Sequence, residues 1–192
     1  MRLFLLFLCA STFVGCTPEL PGVIKDEMAA TAQVKPRAAT VVFFTDFQCP
    51  FCRKTHLALA PLLTARRERV RVVFRHVPLP RHPDARTAAR AMVCVERIAP
   101  ALVDDYAHAL VEAQDLSEAA LKELALERGV AGDRYERCLA DTATEMRIEH
   151  DLAMFDAVRG EGVPLLYIGR TRLDGAQSRE ALEAALDEAL SR

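Results

Sequence analysis

Cys49-Pro50-Phe51-Cys52 constrains this chain more than any other stretch, because of what stands on either side of it. Val41-Val42-Phe43-Phe44-Thr45-Asp46-Phe47 is an apolar, β-branched and aromatic run that predicts a buried strand. Arg53 to Ala60 predicts a helix. The first thiol therefore falls where a strand hands over to a helix N-terminus. Unpaired backbone N–H groups and the positive end of the helix dipole there favour a thiolate. Two thiols two residues apart can also close on each other and exchange electrons.

The chain has six cysteines, and each can be given a place. Residues 1–15 read as a signal peptide: Arg2 supplies positive charge, Leu3 to Val14 is mostly apolar, and Gly15 is small. That run is far below the roughly 20 residues a membrane-spanning helix needs. Phe13-Val14-Gly15-Cys16 resembles the lipobox of bacterial lipoproteins, with Phe13 in place of the usual Leu. The resemblance makes Cys16 the lipidated N-terminus of the mature chain; the alternative is an ordinary signal peptide with an incidental Cys16. Cys9 would be discarded with the signal. Cys49, Cys52, Cys94 and Cys138 remain, an even number that suggests pairing in an exported protein. If Cys49 pairs with Cys52, then Cys94 and Cys138 are left for each other; two separate buried thiols are the alternative.

The remainder has ordinary single-domain size. A net charge of -2, with no basic run, argues against a nucleic-acid partner. Residues 16–38 read as the lipidated N-terminus and a flexible tether, rich in Pro, Ala, Thr and charge. Its span is roughly 70 Å fully extended and about 25 Å as a coil. Residues 39–192 then read as strand, helix, strand, a helical block over about 83–160, strand, strand, helix. Val70 to Val77 is the second strand, ended by Pro78 and Pro80. Helical breaks are expected near Pro100, at 114–117 and at 129–133, with Ser117 as a cap and Gly129 as a stop. Leu165 to Ile168 and Thr171 to Leu173 are strands, and Ser178 caps a last helix with a Leu182, Ala185, Leu186, Ala189 stripe. The fold class is α/β, a thioredoxin fold with an inserted helical subdomain.

Thr45-Asp46-Phe47-Gln48-Cys49-Pro50-Phe51-Cys52-Arg53-Lys54 resembles the active-site signature of DsbA-like thioredoxin-fold proteins, a family of exported thiol-disulfide oxidoreductases. Phe74-Arg75-His76-Val77-Pro78-Leu79, followed by His82 and Ala85, is similar to that family's second strand and entry to its helices. Gly162-Val163-Pro164 resembles the family's cis-proline loop, and Gly175-Ala176-Gln177 with the closing helix also fits. The likeness runs from about Thr40 to Arg192. It implies Cys49 as an exposed nucleophile, Cys52 as the more buried resolving thiol, and a cis Pro164 loop whose Val163 backbone pairs with substrate. Cys94 and Cys138 stand where some members carry an additional disulfide.

Pro50 suits a first helical turn. Phe51 offers bulk without a side-chain hydrogen bond, where the strongly oxidising members have His, while Val163 resembles the oxidase subgroup. Oxidation is placed narrowly ahead of reduction or isomerisation. The potential decides: from about -270 to about -120 mV is worth about 7 kcal/mol. Asp46 reads equally as a proton relay to Cys52 or as a turn residue. His56 is expected to be a partly exposed helix residue, and Met146, Met154 and Phe155 core. No cofactor and no metal site is expected; the alternatives are a metal-handling binding module using Cys49 and Cys52, and a non-catalytic domain that keeps the fold. Implied partners are exported proteins bearing thiols or disulfides, a membrane redox partner for recycling, and the membrane itself through Cys16. The protein is expected as a monomer at the extracytoplasmic face of the cell envelope.

Overall fold

The structure, a computed structural model, describes residues 19–35 and 38–191. The signal-peptide reading and Cys16 lie outside the described residues. The sheet is built on β1 (Ala39–Thr45), which pairs in parallel with β2 (Val70–His76) and antiparallel with β3 (Leu165–Ile168); β3 in turn pairs antiparallel with β4 (Thr171–Asp174). The strand order is β2-β1-β3-β4. Phe43 of β1 faces Phe74 of β2 and Leu166 of β3 in register. The central strand is buried on both faces, which is why it reads as a continuous apolar run.

Side-chain alternation along β1 divides the interior into two layers. Val41 and Phe43 face a cluster with Leu59 and Leu62 of α2 (Pro50–Ala65) and with Leu182 and Leu186 of α8 (Arg179–Leu190). Val42 and Phe44 face the other way, into a cluster with Ile24, Phe155, Leu165, Tyr167 and both thiols of the Cys49–Cys52 pair. The second layer is thus the one that carries the cysteines.

Between β2 and β3 the chain forms α3 (Ala85–Ile98), α4 (Val103–Glu112), α5 (Glu118–Glu127), α6 (Gly132–Ala140) and α7 (Thr142–Ala157). Ser117 Oγ accepts from the Ala120 N–H at 3.4 Å, and Ser178 Oγ from the Ala181 N–H at 3.2 Å, so both serines cap as their positions predict. Gly129 leaves α5 with φ of 83°, a left-handed turn that favours glycine. A further break, outside the three expected ones, falls at Asp141. Its carboxylate accepts from the Ala143 N–H at 3.0 Å and starts α7 directly after α6.

Three expectations need correction. Residues 22–34 are not a tether but a helix, α1 (Gly22–Val34), with Ile24 fully buried in the cysteine-bearing layer. Its anchors are sparse, Ile24 and Thr31 seven residues apart, and Glu27 forms an ion pair with Arg75 of β2. So few buried positions give no visible period. Met146 is 70% exposed, on a different face of α7 from the buried Met154 and Phe155. His56 is buried rather than partly exposed.

Candidate active site

Cys49 is the residue before α2, and Pro50 occupies the first helical position, where its missing N–H costs no helical hydrogen bond. The helix therefore begins at the thiol. Cys49 and Cys52 are free of disulfide. The expected exposure of Cys49 is not what the structure shows: the residue is 1% exposed, as is Cys52. Phe51 between them is 59% exposed. Cys49 Sγ faces the Val163 carbonyl at 4.0 Å, and the Val163–Pro164 peptide is cis. The chain thus brings together residues 114 positions apart in sequence.

The two thiols are held in opposite states. Cys49 is pulled from 9.0 down to about 6, chiefly because the Cys52 thiol donates to its thiolate. Burial opposes this, the backbone N–H groups of Cys52 and Phe51 add to it, and the Asp46 charge works against it. Cys52 is pushed strongly upward by burial first and by giving its proton to Cys49 second. The Asp46 backbone N–H and Thr45 pull it the other way. One proton shared within the pair leaves Cys49 as the thiolate and Cys52 as the thiol.

Asp46 meets Cys52 through its backbone, whose N–H donates to Cys52 Sγ at 3.5 Å. Its buried carboxylate is engaged elsewhere. It accepts from the Gln48 N–H at 2.8 Å and the Leu79 N–H at 3.0 Å, and lies 2.7 Å from His82 Nδ1. That geometry makes Asp46 the organiser of the turn between β1 and α2. Gln48 continues the network: its Oε1 accepts from the Asp84 N–H at 2.8 Å, and its Nε2 donates to Asp84 at 3.0 Å. Sequence reasoning missed this network, because no spacing links His82 to an aspartate 36 residues earlier. A second missed tie is the Gln177 N–H donating to Thr55 Oγ1 at 3.3 Å, which fastens the loop before α8 to α2.

Cys94 and Cys138 form a disulfide between α3 and α6, with Cα atoms 5.7 Å apart. It lies in the helical insertion and contributes nothing to the thiol pair directly. Among the described residues there is no cluster of three metal-ligating side chains, and no helix long and apolar enough to cross a membrane.

The arrangement has counterparts in known proteins. The chain is 34% identical over 165 residues to "Na(+)/H(+) antiporter NhaA 1" of Salinispora arenicola, a match that takes in 81% of this chain and 24% of that protein. It spans about a quarter of the length of the curated relatives it matches. The catalytic domain of Proteus mirabilis ScsC superposes with a TM-score of 0.72 at 20% identity, covering 91% of this chain and 100% of that one. The thiol-disulfide exchange protein alpha-DsbA2 from Wolbachia pipientis gives 0.71 at 18% identity, covering 86% of this chain and 96% of that one. The family model described as Thioredoxin matches residues 35–188. With a strand-to-helix C-x-x-C pair, a facing cis-proline loop and helices inserted between β2 and β3, the chain belongs to the thioredoxin family.

Proposed function

We propose that this protein exchanges a Cys49–Cys52 disulfide with the thiols of substrate proteins, and that oxidation of the substrate is its favoured direction. The observation that carries this reading is the Cys49 thiol at the start of α2, drawn down to about 6 while its partner is pushed up. At pH 7 a thiol of that acidity is about nine-tenths thiolate. A stabilised thiolate is a good leaving group, and it makes the dithiol form the more stable one, so the disulfide is oxidising.

In that direction a substrate thiolate attacks Cys49 Sγ and the Cys49–Cys52 bond breaks, with Cys52 leaving and taking up a proton. A second thiolate of the substrate then attacks the substrate sulfur of the mixed disulfide, forming the substrate disulfide and expelling Cys49 as the thiolate. Two electrons pass from the substrate dithiol to the pair. In reverse, Cys49 attacks a substrate disulfide and Cys52 resolves the intermediate. Cys49 is closed from solvent, so substrate has to approach past exposed Phe51 and the Val163 carbonyl, which faces the sulfur and suits an extended segment.

The same reading places the domain outside the cytoplasm, on a lipid at Cys16, as a monomer recycled by a membrane redox partner. Its support is the leader-like residues 1–15 followed by Cys16, and the cysteine pairing at Cys94–Cys138. A leader over 1–15 and a folded unit over 39–192 belong to this proposal, and of residues 16–38 those of α1 join the folded unit.

The test is equilibration of the purified protein with glutathione, read by thiol alkylation, together with thiolate absorbance against pH. We expect a Cys49 titration midpoint near pH 6, a potential in the oxidising part of the range, and loss of all exchange in Cys49→Ala. A protein that neither oxidises nor reduces a model substrate, with Cys49→Ala indistinguishable from the parent, would falsify the reading. Stoichiometric copper or zinc lost with Cys49→Ala would replace it by the metal-handling alternative.

A further inference from the structure

Among the described residues β2 is an edge strand: β1 lies on one side of it and no described strand on the other. The Ala39 N–H donates to the Arg69 carbonyl at 2.8 Å and the Val77 N–H to the Thr45 carbonyl at 2.9 Å, so odd-numbered residues turn their backbone groups toward β1. Those of Val70, Val72, Phe74 and His76 point away from the sheet. Some of these outward groups are already used. The Val70 N–H donates to the Arg66 carbonyl at 3.0 Å, the His76 N–H to Asp151 Oδ2 at 3.0 Å, and the Phe74 carbonyl accepts from Arg147 Nη2 at 3.3 Å. The Val70 carbonyl, both groups of Val72 and the Phe74 N–H have no partner among the described residues.

These groups open onto a groove of about 1100 Å3. Val34, the last residue of α1, and Lys35 after it line it on one face of the sheet, and Leu57, Ala60 and Pro61 of α2 with Val103, Asp104 and Asp105 of α4 line it on the other. Arg71 also lines it, and its Nη1 is buried without a hydrogen-bond partner. Neighbouring Arg75 differs, being held by Glu27 and Asp151. The groove therefore offers two backbone acceptors, two backbone donors and one unsatisfied cation.

We propose that this groove binds an extended segment of a client polypeptide as a further strand on β2, with a carboxylate side chain set on Arg71. The segment's N–H groups bond the Val70 and Val72 carbonyls, and its carbonyls bond the N–H groups of Val72 and Phe74. Main-chain bonds of this kind give affinity, and the alternating side chains give specificity. Side chains on the Arg71 face carry the acid; those on the other face are apolar and rest on Leu57, Ala60, Pro61 and Val103. A second copy of this chain is the poorer occupant. Two-fold pairing centred on Val72 satisfies the same four groups, but it sets both copies of Arg71 on one face of the joined sheet, where their like charges repel. The site shares no residue with the thiol pair, so it stands or falls separately from the redox reading.

The probe is a fluorescein-labelled, end-capped peptide Thr-Val-Glu-Val-Thr, which has no thiol, titrated against the purified protein by fluorescence polarisation. We expect saturable binding that weakens about tenfold when the peptide glutamate becomes glutamine, and by a similar factor in Arg71→Gln, without the two effects adding. The same peptide N-methylated at both valines should bind about tenfold more weakly still to an unaltered protein, which removes any question of misfolding. No saturable binding, or binding that both N-methylation and Arg71→Gln leave unchanged, overturns the proposal. So does a dimer by sedimentation that Val72→Pro turns into monomer, because proline is tolerated on an edge strand and would there break a β2–β2 contact.

Discussion

His56 sits one turn beyond Cys52 on α2, with its ring 6.1 Å from that of Phe74 and 5.9 Å from that of His108. Burial, and then the neighbouring His108, lower its pKa from 6.5 to about 4. Between those two values the unfolded chain holds a proton that the folded protein does not. The stability is therefore whole above about pH 6.5 and is lost as pH falls toward 4. For this one group the loss between pH 7 and pH 5 is about 2 kcal/mol. His56→Phe keeps an aromatic ring against Phe74 and removes the titration. Urea unfolding at pH 7 and pH 5 should show a drop smaller by about 2 kcal/mol in the variant; equal drops would show that another group is responsible. The same kind of neighbour effect governs Cys49. The sequence named it as the nucleophile candidate, but its 1% exposure came from the loop folded over it, which no local pattern encodes.

At the scale of elements, the strands and most helices were legible because their signals are local. An apolar run made β1, serines marked the starts of α5 and α8, and Gly129 ended α5. α1 was not legible, since it is held by one buried isoleucine, one buried threonine and a glutamate that finds Arg75 across 48 residues. Its packing yields a direct test. Ile24 is fully buried beside Phe44 and Leu165, and Ile24→Ala leaves a cavity there. We expect a loss of about 2–4 kcal/mol in urea unfolding. A loose tether would lose nothing, so a change within about 0.5 kcal/mol would return residues 22–34 to that role.

For the molecule as a whole, the disulfide and the thiol pair divide the work between two ends. Cys94–Cys138 closes a loop with a sequence separation of 44 inside the helical insertion. On the chain-entropy argument this stabilises by about 4 kcal/mol, an upper figure. The double variant Cys94→Ala, Cys138→Ala should lower the unfolding midpoint accordingly. The Cys49 thiolate titration should stay near pH 6, because none of the groups that shift it belongs to α3 or α6. A titration that moves by a full unit would show the two ends to be coupled.

The chain by itself determined the order of strands and helices from β1 onward, the C-x-x-C pair at a helix start, and that Cys94 and Cys138 remain over as a candidate pair, with two separate thiols as the alternative. Each of those depends on residues within a few positions of one another, or on a count. Tertiary structure alone decided that Val163 closes over Cys49, that the Asp46 carboxylate serves His82 and two backbone N–H groups, that His56 is buried, and that among the described residues β2 has a free edge beside an Arg71 whose Nη1 is unpartnered. The reason is physical: burial and hydrogen-bond partners come from segments tens of residues apart, chosen by how the two layers pack against the sheet rather than by any pattern along the chain.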